Sequence, residues 1–393
     1  MKEDLDELLN YLIENDFTGY DTGSFLIFKN NSKLFLNEKN RLSKKWNQFL
    51  NKSIYLLGHR ILNIIDIPRV QSTKAIALTL SGLVNLLKID EQYQGKFEYV
   101  FSKLMERRLV NNLWPADFNY IIKGKEVKKG TTGVINTIFS LLAIKECYEL
   151  TKDMKYKEIY LESVESLIEI VPIKYFSSNK ACFSYNPSGE YYVHNANLLI
   201  LRIMSYAVYL DSSLQNKYIP IIDAGLNYSL DDFKNTNSIP YAGEPTRSFK
   251  HDNYHTGYVM ESISDIKKFI PILETKYNLN YWEKKILNFY YDNYIGNYVY
   301  KFNKNNIIES HSLAQSIIVY KKYYSLLGMK KRKIFNNAIE NTLKLLQYKG
   351  LYKNKVCNIK GLSIHDNTLM PRWALSWMLY SLSLHQIEDN NDE

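Results

Sequence analysis

The chain has little cysteine. Cys147, Cys182 and Cys357 are the full set, odd in number and far apart, with no Cys-x-x-Cys pair. That pattern excludes a disulfide framework and a zinc finger, and it fits a reducing compartment. Long apolar runs are missing as well: no stretch approaches the ~18 residues that a membrane span needs. The first residues, MKEDLDELLNYLIEND, form an acidic amphipathic pattern without the basic and apolar regions of a signal peptide. A cytoplasmic protein without a membrane span is expected. There is no Walker or Gly-x-Gly-x-x-Gly loop, no Asp-rich cyclase motif, and no Cys beside a His at a helix start. Neither a metal nor a cofactor is expected.

A concentrated basic block is also lacking. The formal charge is +9, but the lysines are dispersed, and the densest run, Lys330-Lys331-Arg332-Lys333, reads as the solvated start of an amphipathic helix. With no groove-reading motif, no nucleic-acid partner is expected. An acidic polysaccharide would satisfy the same charge. What the chain does have is an apolar content of 46% beside 23% charge, enough for a sizeable core. Tyrosine is unusually frequent at 33 copies, and aromatic faces are stacking surfaces for sugar rings and for nucleobases alike.

Residues 1–40 read as one helix followed by a small hairpin or arm over Gly19 to Asn37. From Leu42 onward helical patterns take over. Longer connections place helix starts near Gln71, Thr131, Tyr192, Asn253, Glu309 and Asp366, a spacing of roughly 55 to 65 residues. Each start opens an apolar helix such as KAIALTLSGLVNLL, and the first five lead into a more amphipathic one such as KEIYLESVESLIEI. A sixth amphipathic helix, Lys44 to Leu57, precedes the first marker. Helices apolar on most sides belong inside, and helices with one apolar stripe belong outside. The expected fold is therefore all-α, an (α/α)6 toroid over 41–388, with a helix and arm over 1–40 and a disordered acidic tail over 389–393. An open α-solenoid is the alternative; the early unpaired outer helix favours closure.

In a toroid the inner helices all start at one end, so the residues there converge on a cup. Five of the seven histidines, at 194, 251, 255, 311 and 365, fall at that rim. The richest stretch is HDNYHTGYVMES, His251 to Ser262, where Asp252 and Asn253 can cap a helix while His255 and Tyr258 share its next face. The loop before it brings Glu244 and Arg247. The ordinary alternative is a capped helix whose His255 and Tyr258 fill core.

Five segments carry a resemblance: LWPADFNY (113–120), GTTGVINTIFSLLAIKECYELT (130–151), SYNPSGEYYVHNANLL (184–199), DNYHTGYVMES (252–262) and PRWALSWMLYSLSL (371–384). As an ordered set they resemble a family of bacterial and archaeal toroid proteins associated with cell-surface polysaccharide synthesis. More distantly the chain is similar to uronyl C5-epimerases and to heparinase-like and alginate-lyase-like toroids. The resemblance implies a carbohydrate-active protein whose partner is an acidic glycan or glycan precursor.

Epimerisation or elimination at a uronate requires neutralising the carboxylate and removing the C5 proton. The opposite face is then reprotonated, or the 4-linked group is expelled. Asn195, Asn253 and Arg372 are the candidates for the carboxylate, His194 or His255 for the base, and Tyr258 for the proton donor. Arg372 stands beside Trp373 and near Trp377, where a guanidinium can stack while its fork grips an anion. Trp114, Asp117, Asn197, Glu244, Arg247, Asp252, His311, Asp366 and Trp373 complete the expected binding surface. A glycoside hydrolase using two carboxyls from Asp117, Glu190, Glu244, Asp252 and Asp366 is the rival enzyme. A non-catalytic glycan-binding or scaffolding protein is the third reading.

Overall fold

In the computed structural model, which describes residues 2–21, 41–57, 68–122, 125–245, 247–302 and 306–389, the apolar helices and their amphipathic partners form two layers. The first helices are α1 (Lys2–Glu14), α2 (Arg41–Leu57), α3 (Thr73–Leu87), α4 (Gln94–Glu106) and α5 (Val134–Thr151). Then come α6 (Met154–Ile170), α7 (His194–Leu210), α8 (Gln215–Thr236), α9 (Asn253–Phe269) and α10 (Pro271–Tyr277). The last are α11 (Leu279–Tyr294), α12 (Ser310–Lys322), α13 (Met329–Leu346) and α14 (Ser376–Asp389), the final one entered through a π-helical turn, Pro371–Leu375.

The inner layer runs α3, α5, α7, α9, α12, α14, each helix packed on the next, and α14 packs back on α3. The ring is closed. Its members are buried nearly all round: in α3 every residue from Thr73 to Leu86 is buried, as the unbroken apolar pattern requires. The outer helices bury one stripe each, for example Phe97, Val100 and Leu104 of α4, at helical spacing. Along the ring α4 packs on α3, α6 on α5, α8 on α7, α11 on α9 and α13 on α12.

The sixth outer place belongs to α1, not to Lys44 to Leu57 as the spacing suggested. α1 packs on α14 and buries Leu5, Leu8, Leu9 and Leu12 completely, a stripe worth roughly 1.5–3 kcal/mol per leucine. α2 instead exposes Leu42, Trp46 and Phe49 and touches the strand Leu362–Asp366. The segment Lys2–Glu14 is thus part of the ring layer and not an extension of it. Most of the expected hairpin or arm over 19–37, and residues 390–393 of the expected tail, lie outside the described residues. At the start of that arm, Thr18–Gly19 pairs with Val70–Gln71.

Short antiparallel pairs gather in the connections that precede inner helices: Tyr120–Ile122 with Lys125–Val127 before α5, and Ile173–Ser177 with Lys180–Phe183 before α7. A three-stranded sheet, Leu362–Asp366 on Lys355–Ile359 on Ile307–Glu309, joins the approaches to α12 and α14. Toward the C-terminal halves of the inner helices, charges fill the ring instead. Arg202 of α7 donates to Asp265 of α9 at 2.7 Å and lies 3.4 Å from Glu261, while Lys145 and Lys322 approach Asp265 from α5 and α12. One close approach depends on a missing side chain: a Cβ on Gly257 would run into Gln315, so the glycine lets α9 lie tight against α12.

Candidate active site

The starts of all six inner helices line one cavity of about 290 Å³. Lys74 comes from α3, Ile135 and Asn136 from α5, Asn195 from α7, Tyr254 and His255 from α9, His311 from α12, and Arg372 and Trp373 from the turn into α14. The second residue of each inner helix from α3 to α12, namely Lys74, Ile135, Asn195, Tyr254 and His311, faces the cavity. The first residues, Thr73, Val134, His194, Asn253 and Ser310, do not line it. One position is about 100° of helix rotation, enough to turn a side chain from the cup to the wall.

His255 is held as a base would be. Asp252, the N-cap of α9, accepts from the His255 backbone N at 2.9 Å, and its other oxygen lies 2.7 Å from His255 Nδ1. A carboxylate on Nδ1 puts the proton there and leaves the Nε2 lone pair free. Burial pushes Asp252 up, but His255 beside it and the backbone hydrogen bond outweigh that and hold the carboxyl below its usual range. The His255 side chain keeps 25% of its surface exposed, whereas Asp252 is buried behind it.

Next to it runs a second chain of titratable groups. Tyr258 Oη lies 2.7 Å from His311 Nε2 and 3.4 Å from Lys74 Nζ. His311 is sandwiched between Tyr254, ring centroids 4.1 Å apart, and Trp377 at 4.7 Å. Burial, reinforced by the charge of Lys74, holds His311 well below its ordinary value, and its buried Nδ1 has no hydrogen-bond partner among the described residues. Burial likewise raises the Tyr258 phenol well above its ordinary value. Asn195, which also lines the cavity, has a buried Nδ2 with no partner among the described residues either.

Of the residues singled out from the sequence, Asp117, Asn195, His255, Tyr258, His311, Arg372 and Trp373 line this cavity. The others are placed elsewhere. His194 is fully buried with Nε2 at 2.8 Å from Asp232 and Nδ1 at 3.1 Å from Ser229. That is the connectivity of a Ser-His-Asp triad, but Ser229 is itself fully buried and away from the cavity, so nothing can reach it. Arg247 pairs with Asp232 and with the exposed Glu244 beside the same cluster. Asn197 donates to Gly225 O and accepts from Phe183 N, tying α7 to α8. Asn253 donates to Ser316 of α12 at 3.0 Å. Asp366 accepts from Thr368 and from Asn354, holding the turn that follows its strand. Trp114 is core, its Nε1 donating to Leu104 O.

Arg372 lines the cavity but is already matched: its Nε donates to Asp21 at 2.6 Å, and its guanidinium lies between the Phe118 and Trp373 rings. Asp117 is the one carboxylate among the described lining residues. It accepts from Thr73 N and Oγ1, from Arg107 and from Asn136. Four such bonds consume its lone pairs. Lys74 and Tyr254 were missed by sequence reasoning; the available signal was a lone lysine at the second place of an otherwise apolar inner helix. Among the described residues no three His, Cys, Asp or Glu side chains converge to hold a metal ion, and no helix is long and apolar enough to cross a membrane.

No protein-family profile matches the chain, and no curated protein matches it in sequence. Solved structures do match in shape. A sugar epimerase from a ruminal bacterium aligns over 80% of this chain and 88% of its own, with a TM-score of 0.60 at 11% identity. The chain has the (α/α)6-toroid fold. A polysaccharide lyase aligns over 81% of this chain and 91% of its own, with a TM-score of 0.54 at 10% identity. An unsaturated glucuronyl hydrolase specific for heparin covers 98% of both chains, with a TM-score of 0.52 at 10% identity.

Proposed function

We propose that this protein is a carbohydrate-active enzyme that removes a proton from a sugar carbon in the cup, acting on a uronic-acid-containing glycan as an epimerase or lyase. The observation that carries this reading is the pairing of two different proton carriers on one cavity: His255, oriented by Asp252, and Tyr258 bonded to His311. His255 Nε2 takes the C5 proton. The Tyr258–His311 pair supplies a proton to the opposite face of the carbon, or to the oxygen of a leaving 4-linked sugar. Glycoside hydrolysis needs a carboxyl pair, and the single lining carboxylate, Asp117, is fully engaged. The likeness to a sugar epimerase, a polysaccharide lyase and a glucuronyl hydrolase supports a carbohydrate substrate.

Three free, buried cysteines support a cytoplasmic setting, and the resemblance in sequence supports a place in cell-surface polysaccharide metabolism. The decisive experiment is incubation with uronic acid oligosaccharides in deuterated water. Deuterium at C5 reports epimerisation, and new ultraviolet absorbance reports an unsaturated uronate. Deuterium appearing only at C2 of neutral reducing sugars would assign the same base to another substrate. Absence of any exchange or absorbance, with glycan binding intact, would leave a binding protein.

A further inference from the structure

Two basic side chains, Lys74 and Arg372, line the cavity among the described residues, and the protein pairs one of them with a carboxylate. Arg372 has Asp21. Lys74, 5% exposed, has Tyr258 Oη at 3.4 Å and, among the described residues, no carboxylate partner. Four rings surround its Nζ instead: Phe139 at 3.8 Å, Trp377 at 5.0 Å, Tyr258 at 5.4 Å and Trp373 at 5.9 Å from their centroids. Ring faces offset part of the cost of burying an ammonium, but they bring no negative charge. A buried lysine without a counter-ion at the wall of a sugar-sized cavity is a place for an anion.

We propose that Lys74 is the residue that reads the acidic group of the substrate: a uronate carboxylate enters the cup and pairs with its ammonium. The inference rests on the uronate reading above and names the residue behind it. Asn195 lines the same cavity. Arg372 does not take this role, because both of its Asp21-facing nitrogens are occupied. An ammonium on the carboxylate also stabilises the negative charge that grows on that group as the neighbouring C–H proton leaves for His255.

The pairing is linked to a proton. Burial, with the charge of Arg372 adding to it and Asp21 opposing, holds free Lys74 well below its ordinary value. The other charged and titratable groups at the cavity are Tyr120, Tyr185, Tyr254, Tyr258, His255, His311, Asp117 and Arg372 with Asp21. An arriving carboxylate favours the ammonium, so binding raises the protonated fraction of Lys74. Affinity for an acidic ligand then falls as pH rises, by up to about one decade per pH unit over the interval between the free and bound values.

The test is titration calorimetry of the full chain in two buffers of different ionisation enthalpy. The ligands are a glucuronate-containing disaccharide and its carboxyl-reduced counterpart. Wild type should prefer the acidic disaccharide and take up more protons with it than with the neutral one. Lys74→Met should lose roughly 10- to 100-fold for the acidic ligand, lose the proton uptake, and leave the neutral ligand within about 2-fold. Lys74→Gln serves if Met disturbs the cup, with near-ultraviolet circular dichroism as the check on folding. Equal losses for both ligands, proton uptake surviving in the variants, or no binding of the acidic ligand by wild type would each overturn the proposal. Because no turnover is involved, it can fail while C5 exchange is observed, or hold while exchange is absent, so the two readings fail separately.

Discussion

Arg372 and Asp21 meet across 351 positions of the chain, Nε on Oδ2 at 2.6 Å and Nη2 on Oδ1 at 2.5 Å. The pair joins the segment after α1 to the turn that enters α14, the same junction that α1 closes by packing on α14. A two-pronged, buried carboxylate–guanidinium contact of this kind fixes orientation as well as position. It holds one side of the cup rim in place, next to Trp373.

Asp21→Asn is therefore expected to destabilise the fold by about 1–3 kcal/mol, because it removes the charge of the carboxylate that the largely buried guanidinium faces. Arg372→Lys keeps the charge but loses the fork, and should weaken acidic and neutral sugars by equal factors. Denaturant melts of Asp21→Asn, Arg372→Met and the double variant Asp21→Asn/Arg372→Met measure the coupling, expected above about 1 kcal/mol. A selective loss of acidic ligand in Arg372→Lys, with stability unchanged, would return the anion-binding role to Arg372.

The ring was legible because it rests on periodicity. Six apolar helices alternating with amphipathic ones specify two layers, and the rim positions of His255, Tyr258 and His311 follow from where those helices begin. The finer placement was not legible, since it turns on single-residue phase. His194 and Asn195 are neighbours at the same helix start, yet Asn195 faces the cavity and His194 faces Asp232 and Ser229 of α8. The ionic partner of Arg372 was hidden for another reason. Asp21 sits in the one region without a repeating pattern, and its approach to the ring depends on α1 taking the place that spacing had given to Lys44–Leu57.

His255→Ala should reduce turnover by about 10²–10⁴-fold while leaving the melting curve within about 0.5 kcal/mol of wild type. The side chain is partly exposed and its backbone bond to Asp252 survives the substitution. Asp252→Asn keeps a cap acceptor but removes the charge that fixes the tautomer, so kcat should fall by a smaller factor, about 10–10². Assays of proton exchange on both variants, beside melts, check this. A His255→Ala protein that melts several kcal/mol lower would make His255 a packing residue.

His194→Ala should behave in the opposite way. The imidazole is fully buried and bonded at both nitrogens, and its loss leaves one oxygen of Asp232 without the imidazole and Ser229 with only its bond from Asn197. A destabilisation of about 2–4 kcal/mol is expected. The fraction that remains folded should retain its kcat, since His194 does not line the cavity. Turnover normalised to folded protein by near-ultraviolet circular dichroism separates the two effects, and a lost kcat in fully folded protein would restore His194 to the chemistry.

Stability should fall as pH drops below neutrality. Burial holds His311 well below its ordinary value and lowers His194 as well, Asp232 only partly opposing in the second case. In the unfolded chain both titrate near about 6.5, so below that pH the unfolded state binds protons that the folded state refuses. The stabilising contribution is complete above about pH 6.5 and is lost as pH falls through the unfolded value, at up to about 1.4 kcal/mol per pH unit for each histidine. The lowered carboxyl of Asp252 acts in the same direction but only near the ordinary carboxylate range, about pH 4. Urea melts from about pH 5 to pH 8 should therefore show a slope set by the two histidines, reduced by up to half in His311→Gln. That variant also removes the acceptor or donor facing Tyr258 Oη, so its absolute stability will be lower, and the slope, not the midpoint, is the readout. A flat wild-type profile over this range would mean that the two histidines bind protons alike in the folded and unfolded chain, so that burial does not hold His311 neutral in the cup.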